Sequence, residues 1–97
     1  MKIGFVYIMT NQYNTTFYTG VTSNLIKRIY DYKSGIGSIF TKKYMLIKLI
    51  YYEVCNSMIE AIVREKQIKD MNREDKIKMI QRFNPHFEDK YNQIKKL

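Results

Sequence analysis

Two short apolar and aromatic runs, residues 4–9 and 16–21, flank a polar stretch that spells TNQYNTT. This pattern predicts a β-hairpin. If Thr10 and Thr15 close a four-residue loop, Met9 falls opposite Thr16, Tyr7 opposite Tyr18 and Phe5 opposite Gly20. The two phenols then form a cross-strand pair on one face. Gly20, lacking a side chain, leaves room beside them for something to approach closely. The register matters, because a one-residue slip would send the two tyrosines to opposite faces.

Next comes TSNLIKRIYDYKSG. Thr22 or Ser23 is placed to cap a helix, and Gly35 to end it. Leu25, Ile29 and Tyr32 recur at helical spacing, and Ile26 and Tyr30 widen the stripe. GIGSIFTKKY reads as a loop or a broken turn of helix. MLIKLIYYEV, residues 45–54, is rich in strand formers and bounded by the polar CNS. It is apolar on both faces, which predicts a third, central strand. Ser57 or Asn56 caps a helix running to about Met71. Asn72 begins another, with Glu74 and Asp75 in its first turn, where acids suit the helix dipole. It ends near Asn84-Pro85, since the residue before proline disfavours helix. The expected architecture is α+β: a three-stranded antiparallel sheet flanked by helices. It forms one domain over residues 1–97, with a core at 4–83 and a tail at 84–97. Met45, Met58, Met71 and Met79 read as core filler.

Charge narrows the function. Seventeen Lys and Arg stand against nine acids, a formal net charge of +8. In a small domain this favours a polyanionic partner, with nucleic acid ahead of an anionic membrane surface. Cys55 is alone, so an internal disulfide and a cysteine metal cluster are both excluded. His86 is the only histidine, which excludes a histidine metal cluster and an ordinary triad. There is no glycine-rich phosphate loop. No stretch approaches the ~20 apolar residues of a membrane span. The lone thiol and the missing signal-peptide pattern lead us to expect a cytoplasmic protein.

Two charged residues stand out by position. Glu65 has Ala61, Ile62 and Ile68 as helical neighbours and so sits on the apolar face of its helix. An inward carboxylate costs several kcal/mol, roughly, unless it is paired or metal-bound; Lys69 is the alternative partner. Glu60, by contrast, is spaced for an ordinary exposed pair with Arg64. Arg28, between Leu25 and Tyr32, lies at the border of its apolar stripe. There its fork of donors could grip a phosphate.

These residues carry a resemblance. VYI with Tyr7, ten intervening residues, then YTG with Tyr18 and Gly20, resembles the paired signature of the GIY-YIG nuclease family. VTSNLIKRIYDYKSG resembles the family's first helix, whose arginine falls on Arg28. FTKKYMLIKLIYYE resembles the third strand and its approach. EAIVREKQIKDMNREDKIKMI resembles a segment of the small standalone members, with the acidic metal ligand falling on Glu65. NPHFED resembles their closing motif. The similarity spans roughly residues 4–89. The chain departs from the pattern at Phe5, where the family has glycine, and at Tyr32, where many members have histidine. The late asparagine of parts of the family maps onto Asn84.

The resemblance implies a divalent-metal-dependent endonuclease that hydrolyses DNA phosphodiesters. Its selectivity would be for structure rather than sequence, in DNA repair, recombination or processing. It offers a tyrosine as general base, whose pKa, ordinarily ~10, must then fall by several units through nearby cations. Tyr7 is favoured as base and Tyr18 as the residue orienting water or phosphate, with the reverse left open. Tyr32 stands where a proton-shuttling histidine is common. Arg28 would stabilise charge on the phosphoryl oxygens, and Glu65 would hold one Mg²⁺ or Mn²⁺. Lys27, Lys42 and Lys43 would track the nucleic-acid backbone. Without an attached DNA-binding domain, selectivity would come from DNA shape or from a specificity-conferring protein partner. The alternative is a nucleic-acid-binding module on the same fold that cuts poorly or not at all.

Overall fold

The computed structural model describes residues 3–95. Strands β1 (Gly4–Thr10) and β2 (Phe17–Thr22) form the expected hairpin, followed by helices α1 (Leu25–Lys33) and α2 (Ile39–Lys43). Strand β3 (Lys48–Cys55) and helices α3 (Met58–Asp70), α4 (Arg73–Phe83) and α5 (Tyr91–Ile94) complete the chain. The sheet is antiparallel in the order β2-β1-β3. The predicted α+β class and three-stranded sheet are therefore present, but the central strand is β1, not β3. The reason lies in how the strands are covered. Val6 and Ile8 of β1 are sealed beneath α3 and α4, while Tyr7 and Met9 are sealed beneath α1. Val54 of β3 is 59% exposed.

The hairpin register also differs from expectation. Thr10 pairs with Phe17, Met9 with Tyr18, Tyr7 with Gly20 and Phe5 with Thr22. The loop has six residues, not four, because Asn11 organises it. Its side-chain oxygen accepts from the Thr15 amide at 2.8 Å, its side-chain nitrogen donates to the Thr15 hydroxyl at 2.7 Å, and Asn14 takes a left-handed conformation with φ 58°. The shift is two residues, so Tyr7 and Tyr18 keep a common face but become diagonal neighbours.

Helix ends follow local chemistry. Asn24, not Thr22 or Ser23, caps α1 by accepting from the Lys27 amide. Leu25, Ile29 and Tyr32 are buried as the spacing predicts, whereas Ile26 and Tyr30 are exposed. Ser57 caps α3 and Asn72 caps α4, with Glu74 and Asp75 in the first turn of α4. The expected Glu60–Arg64 pair does not form. Glu60 turns back to accept from the Asn56 amide at 3.1 Å, a capping interaction, and Arg64 binds Glu53 instead. Of the four methionines assigned to the core, Met79 is buried and Met58 and Met71 are half-buried. Met45 is exposed, at φ 54°, in the turn between α2 and β3.

The segment after α4 packs against β3. Asn84 is 1% exposed; its amide donates to Ile50 O at 3.0 Å and Glu88 O at 2.7 Å, and its carbonyl accepts from the Glu88 amide at 3.0 Å. Asp89 accepts from the Leu49 amide, and the Lys90 amide donates to Leu49 O at 2.7 Å. Backbone groups on the open side of β3 thus find partners, as an edge strand requires. Ile94 is fully buried with Leu25 and Ile29. Among the described residues, no helix is long and apolar enough to cross a membrane.

Candidate active site

Gly20 explains the local geometry. A Cβ at this position would lie 2.5 Å from the Tyr7 hydroxyl and 3.1 Å from the Tyr18 ring. The space that glycine opens is filled by Tyr7 itself, not left for an incoming group as the predicted register suggested. The Tyr7 side chain crosses its partner strand there and meets the Tyr32 hydroxyl at 2.7 Å, a fully buried contact. Arg28 reaches the same Tyr7 oxygen from α1 and donates to it at a long 3.4 Å. Tyr18 stands edge-on to Tyr32, with ring centroids 6.4 Å apart. Four of the residues singled out by the sequence, Tyr7, Tyr18, Arg28 and Tyr32, therefore converge.

Accessibility separates the two phenols. Tyr7 is fully buried, while Tyr18 is partly open. Burial pushes the Tyr7 phenol well above the usual tyrosine value, and its hydrogen bond with Tyr32 pushes it further; Arg28 works in the opposite direction. Tyr18 is raised too, first by burial and then by Tyr32, with the negative charge of Glu65 adding a smaller push. Arg28 is exposed and firmly cationic: burial of part of its stem opposes the charge, but Tyr32 and Tyr7 outweigh it. Among the described residues, Arg28 has no carboxylate at ion-pair distance.

Glu65 comes from α3, which packs on the far face of the sheet, and its charge reaches Tyr18 on the edge strand β2. Its side chain is 15% exposed and 3.6 Å from the Lys69 ammonium. The inward position was legible from spacing, and so was Lys69 as its partner. That contact is long, and among the described residues the carboxylate accepts no hydrogen bond. No three acidic, histidine or cysteine side chains cluster among the described residues. The site thus offers one under-engaged carboxylate, which suits a hard ion that keeps most of its water shell.

The remaining predicted residues lie around or away from this cluster. Lys42 lines a cavity against Tyr32. Lys27 is exposed, borders a shallow cavity with Arg28 and pairs with Asp31 at 3.2 Å. Lys43 lies over the Tyr44 ring, 5.5 Å from its centroid. Asn84 does not join the cluster; its polar atoms hold the chain after α4 against β3. Two features beside the site were not legible in the sequence as neighbours of Tyr18. Phe40 packs 5.9 Å from Tyr18, and Lys69 and Lys76 come from α3 and α4 to the same side. Their adjacency depends on how α2, α3 and α4 meet β2, and no spacing in the chain encodes it.

The model of the GIY-YIG catalytic domain matches residues 3–79. The chain is 39% identical over 77 residues to a UPF0213 protein of Staphylococcus haemolyticus, covering 79% of this chain and 93% of that protein. It is 37% identical over 81 residues to a UPF0213 protein of Syntrophus aciditrophicus, covering 82% and 92%. The solution NMR structure of a UPF0213 protein from Bacillus halodurans is similar with a TM-score of 0.58 at 25% identity, covering 90% of this chain and 92% of that one. Tyr7, Tyr18, Gly20, Arg28 and Glu65 all fall inside the matched span, and the chain belongs to the GIY-YIG catalytic-domain family.

Proposed function

We propose that this protein is a divalent-metal-dependent endonuclease that hydrolyses DNA phosphodiester bonds, selecting by DNA structure rather than sequence. The observation that carries this reading is the Arg28 guanidinium. It is exposed, lacks a carboxylate partner among the described residues, and is held beside two phenols. A cation so placed is preorganised for charge that grows on phosphoryl oxygens. Tyr18, the phenol that solvent reaches, bonds the attacking water; Tyr7, sealed and bonded to Tyr32, aligns Arg28. This assigns the proton to Tyr18 rather than Tyr7, since a general base must lie within hydrogen-bond reach of the water it activates. Acting as base requires the Tyr18 proton to leave; Arg28 favours that and Glu65 opposes it. Glu65 would hold a Mg²⁺ or Mn²⁺ ion, which when bound supplies charge that offsets the carboxylate and stabilises the leaving oxygen.

Lys27 and Lys42 border the cluster and supply salt-sensitive, sequence-independent attraction to the DNA backbone. Roles in DNA repair or recombination, and a protein partner that adds selectivity, fit a site with so few base-reading groups. A second reading rests on Tyr32. Its hydroxyl is buried and engaged by Tyr7 at 2.7 Å, away from an attacking water, which suits a nucleic-acid-binding module that cuts slowly.

Incubation with branched, flap, single-stranded and duplex DNA, with Mg²⁺ or Mn²⁺ and with chelator, tests both. The nuclease cuts only with metal, and Glu65→Ala or Arg28→Ala abolishes cutting. Binding without cutting, unchanged by Glu65→Ala, establishes the module instead.

A further inference from the structure

Beside Tyr18, an open cleft of about 400 Å³ is lined by Phe17, Tyr18, Thr19, Phe40, Lys69 and Lys76. Its size falls within the ~300–1,000 Å³ of ligand clefts. The floor is aromatic. Phe40 is 42% exposed, with Tyr18 5.9 Å away on one side and Tyr44 4.7 Å away on the other. The rim is cationic. Lys69 also touches Glu65, at 3.6 Å, so the cleft adjoins the candidate metal ligand. Lys76 is half-buried and, among the described residues, has no carboxylate at ion-pair distance. Arg73 adds a third cation, its guanidinium 4.7 Å from the centre of the Phe17 ring.

Aromatic faces between cations, one of them, Lys76, without a carboxylate partner among the described residues, are the elements of a single-strand binding groove. The geometry points to a nucleotide subsite next to the scissile phosphate, with a base stacked on Phe40 and its phosphate between Lys69 and Lys76. This deepens the nuclease reading and rests on it, because Tyr18 is shared by the cleft and the catalytic cluster. A base lies on Phe40 only after leaving its own helical stack, so the subsite takes an unpaired or extruded nucleotide. The electrostatics agree. The Lys76 ammonium is pushed below the usual lysine range by burial, then by the nearby Arg73 and Lys69 charges, and a bound anion relieves that repulsion.

The test is fluorescence anisotropy of the full chain with a labelled single-stranded oligonucleotide and with a blunt duplex of the same sequence, under chelator so that neither is cut. Phe40→Leu removes the ring but keeps an apolar side chain. It weakens single-strand binding about tenfold and leaves duplex binding unchanged. Lys76→Gln weakens single-strand binding about fivefold and reduces the salt slope by about 0.7. Lys78→Gln, on the exposed side of α4 where it pairs with Glu74, changes neither. Single-strand affinities within twofold of the parent for both Phe40→Leu and Lys76→Gln overturn the subsite, even if the parent cuts DNA when metal is restored. Weakened variants of a protein that never cuts keep the subsite and remove the nuclease reading. If the parent binds neither oligonucleotide, both fall.

Discussion

Two tyrosine–arginine clusters occupy this small molecule, and they are built to opposite ends. In one, Arg64 binds Glu53 with forked donors at 2.9 to 3.1 Å, and Glu53 also accepts from the Tyr51 hydroxyl. Every charge there has a counter-charge, so the cluster ties α3 to β3. In the other, Arg28 meets, among the described residues, the phenols of Tyr7 and Tyr32 and no carboxylate at ion-pair distance. Its positive charge is aligned but not neutralised. The residue types are nearly the same; the carboxylate decides which arginine is structural and which remains open to an anionic ligand.

Exchanging the two arginines for alanine breaks the comparison most sharply. Arg28→Ala lowers metal-dependent cutting by at least roughly 10²–10³-fold, to loss of visible product in the cleavage assay, the effect of losing one preorganised donor at developing charge. Its thermal midpoint stays near that of the parent. Arg64→Ala does the reverse. It leaves Glu53 half-buried without its cation and costs about 1–3 kcal/mol in urea unfolding, with turnover per folded molecule unchanged. If Arg64→Ala also abolishes cutting in folded protein, the assignment of the second cluster as structural is wrong.

Gly20→Ala brings a Cβ to 2.5 Å from the Tyr7 hydroxyl. Overpacking of this kind costs about 1–3 kcal/mol, and here it displaces the phenol that aligns Arg28. Stability and turnover should therefore fall together, in contrast to either arginine variant. A folded, fully active Gly20→Ala protein would show that the Tyr7 position is not needed.

The smallest effect is a pH dependence. Burial alone would raise the Glu53 carboxyl, but the bonds from Arg64 and then Tyr51 hold it below its ordinary 4.5. A carboxyl lowered on folding adds stability above its unfolded value, and that stability is lost as pH falls through the folded one. Tyr51 is pushed up to about 12, chiefly by burial and then by Glu53, so its share is lost as pH rises from 10 towards 12. Glu53→Gln should flatten the acid side of the stability profile measured by urea midpoints. A parent profile already flat below 4.5 would contradict the pairing.

Much of the site was legible along the chain because it rests on local spacing. Tyr7, Tyr18 and Gly20 share one hairpin, and an even register shift keeps both phenols on one face. Arg28 and Tyr32 lie one helical turn apart, and Glu65 reads as inward from Ala61 and Ile68. The capping residues Ser57 and Asn72 and the acids after Asn72 also act within a few residues, so the α3 and α4 starts followed from sequence.

What the tertiary structure decided depends on contacts between distant segments. The six-residue loop built by Asn11 put Gly20 opposite Tyr7 and turned an expected gap into a filled socket. The strand order followed from which strand receives helices on both faces, which an apolar run cannot reveal, and β1 won that place from β3. Arg64 chose Glu53 over Glu60 because β3 and α3 come together, giving it a partly buried bidentate partner in place of an exposed one. Local spacing therefore determined which side chains this protein could offer to chemistry. Packing determined which of them stayed uncommitted, because only the folded chain brings a carboxylate to Arg64 and, among the described residues, none to Arg28.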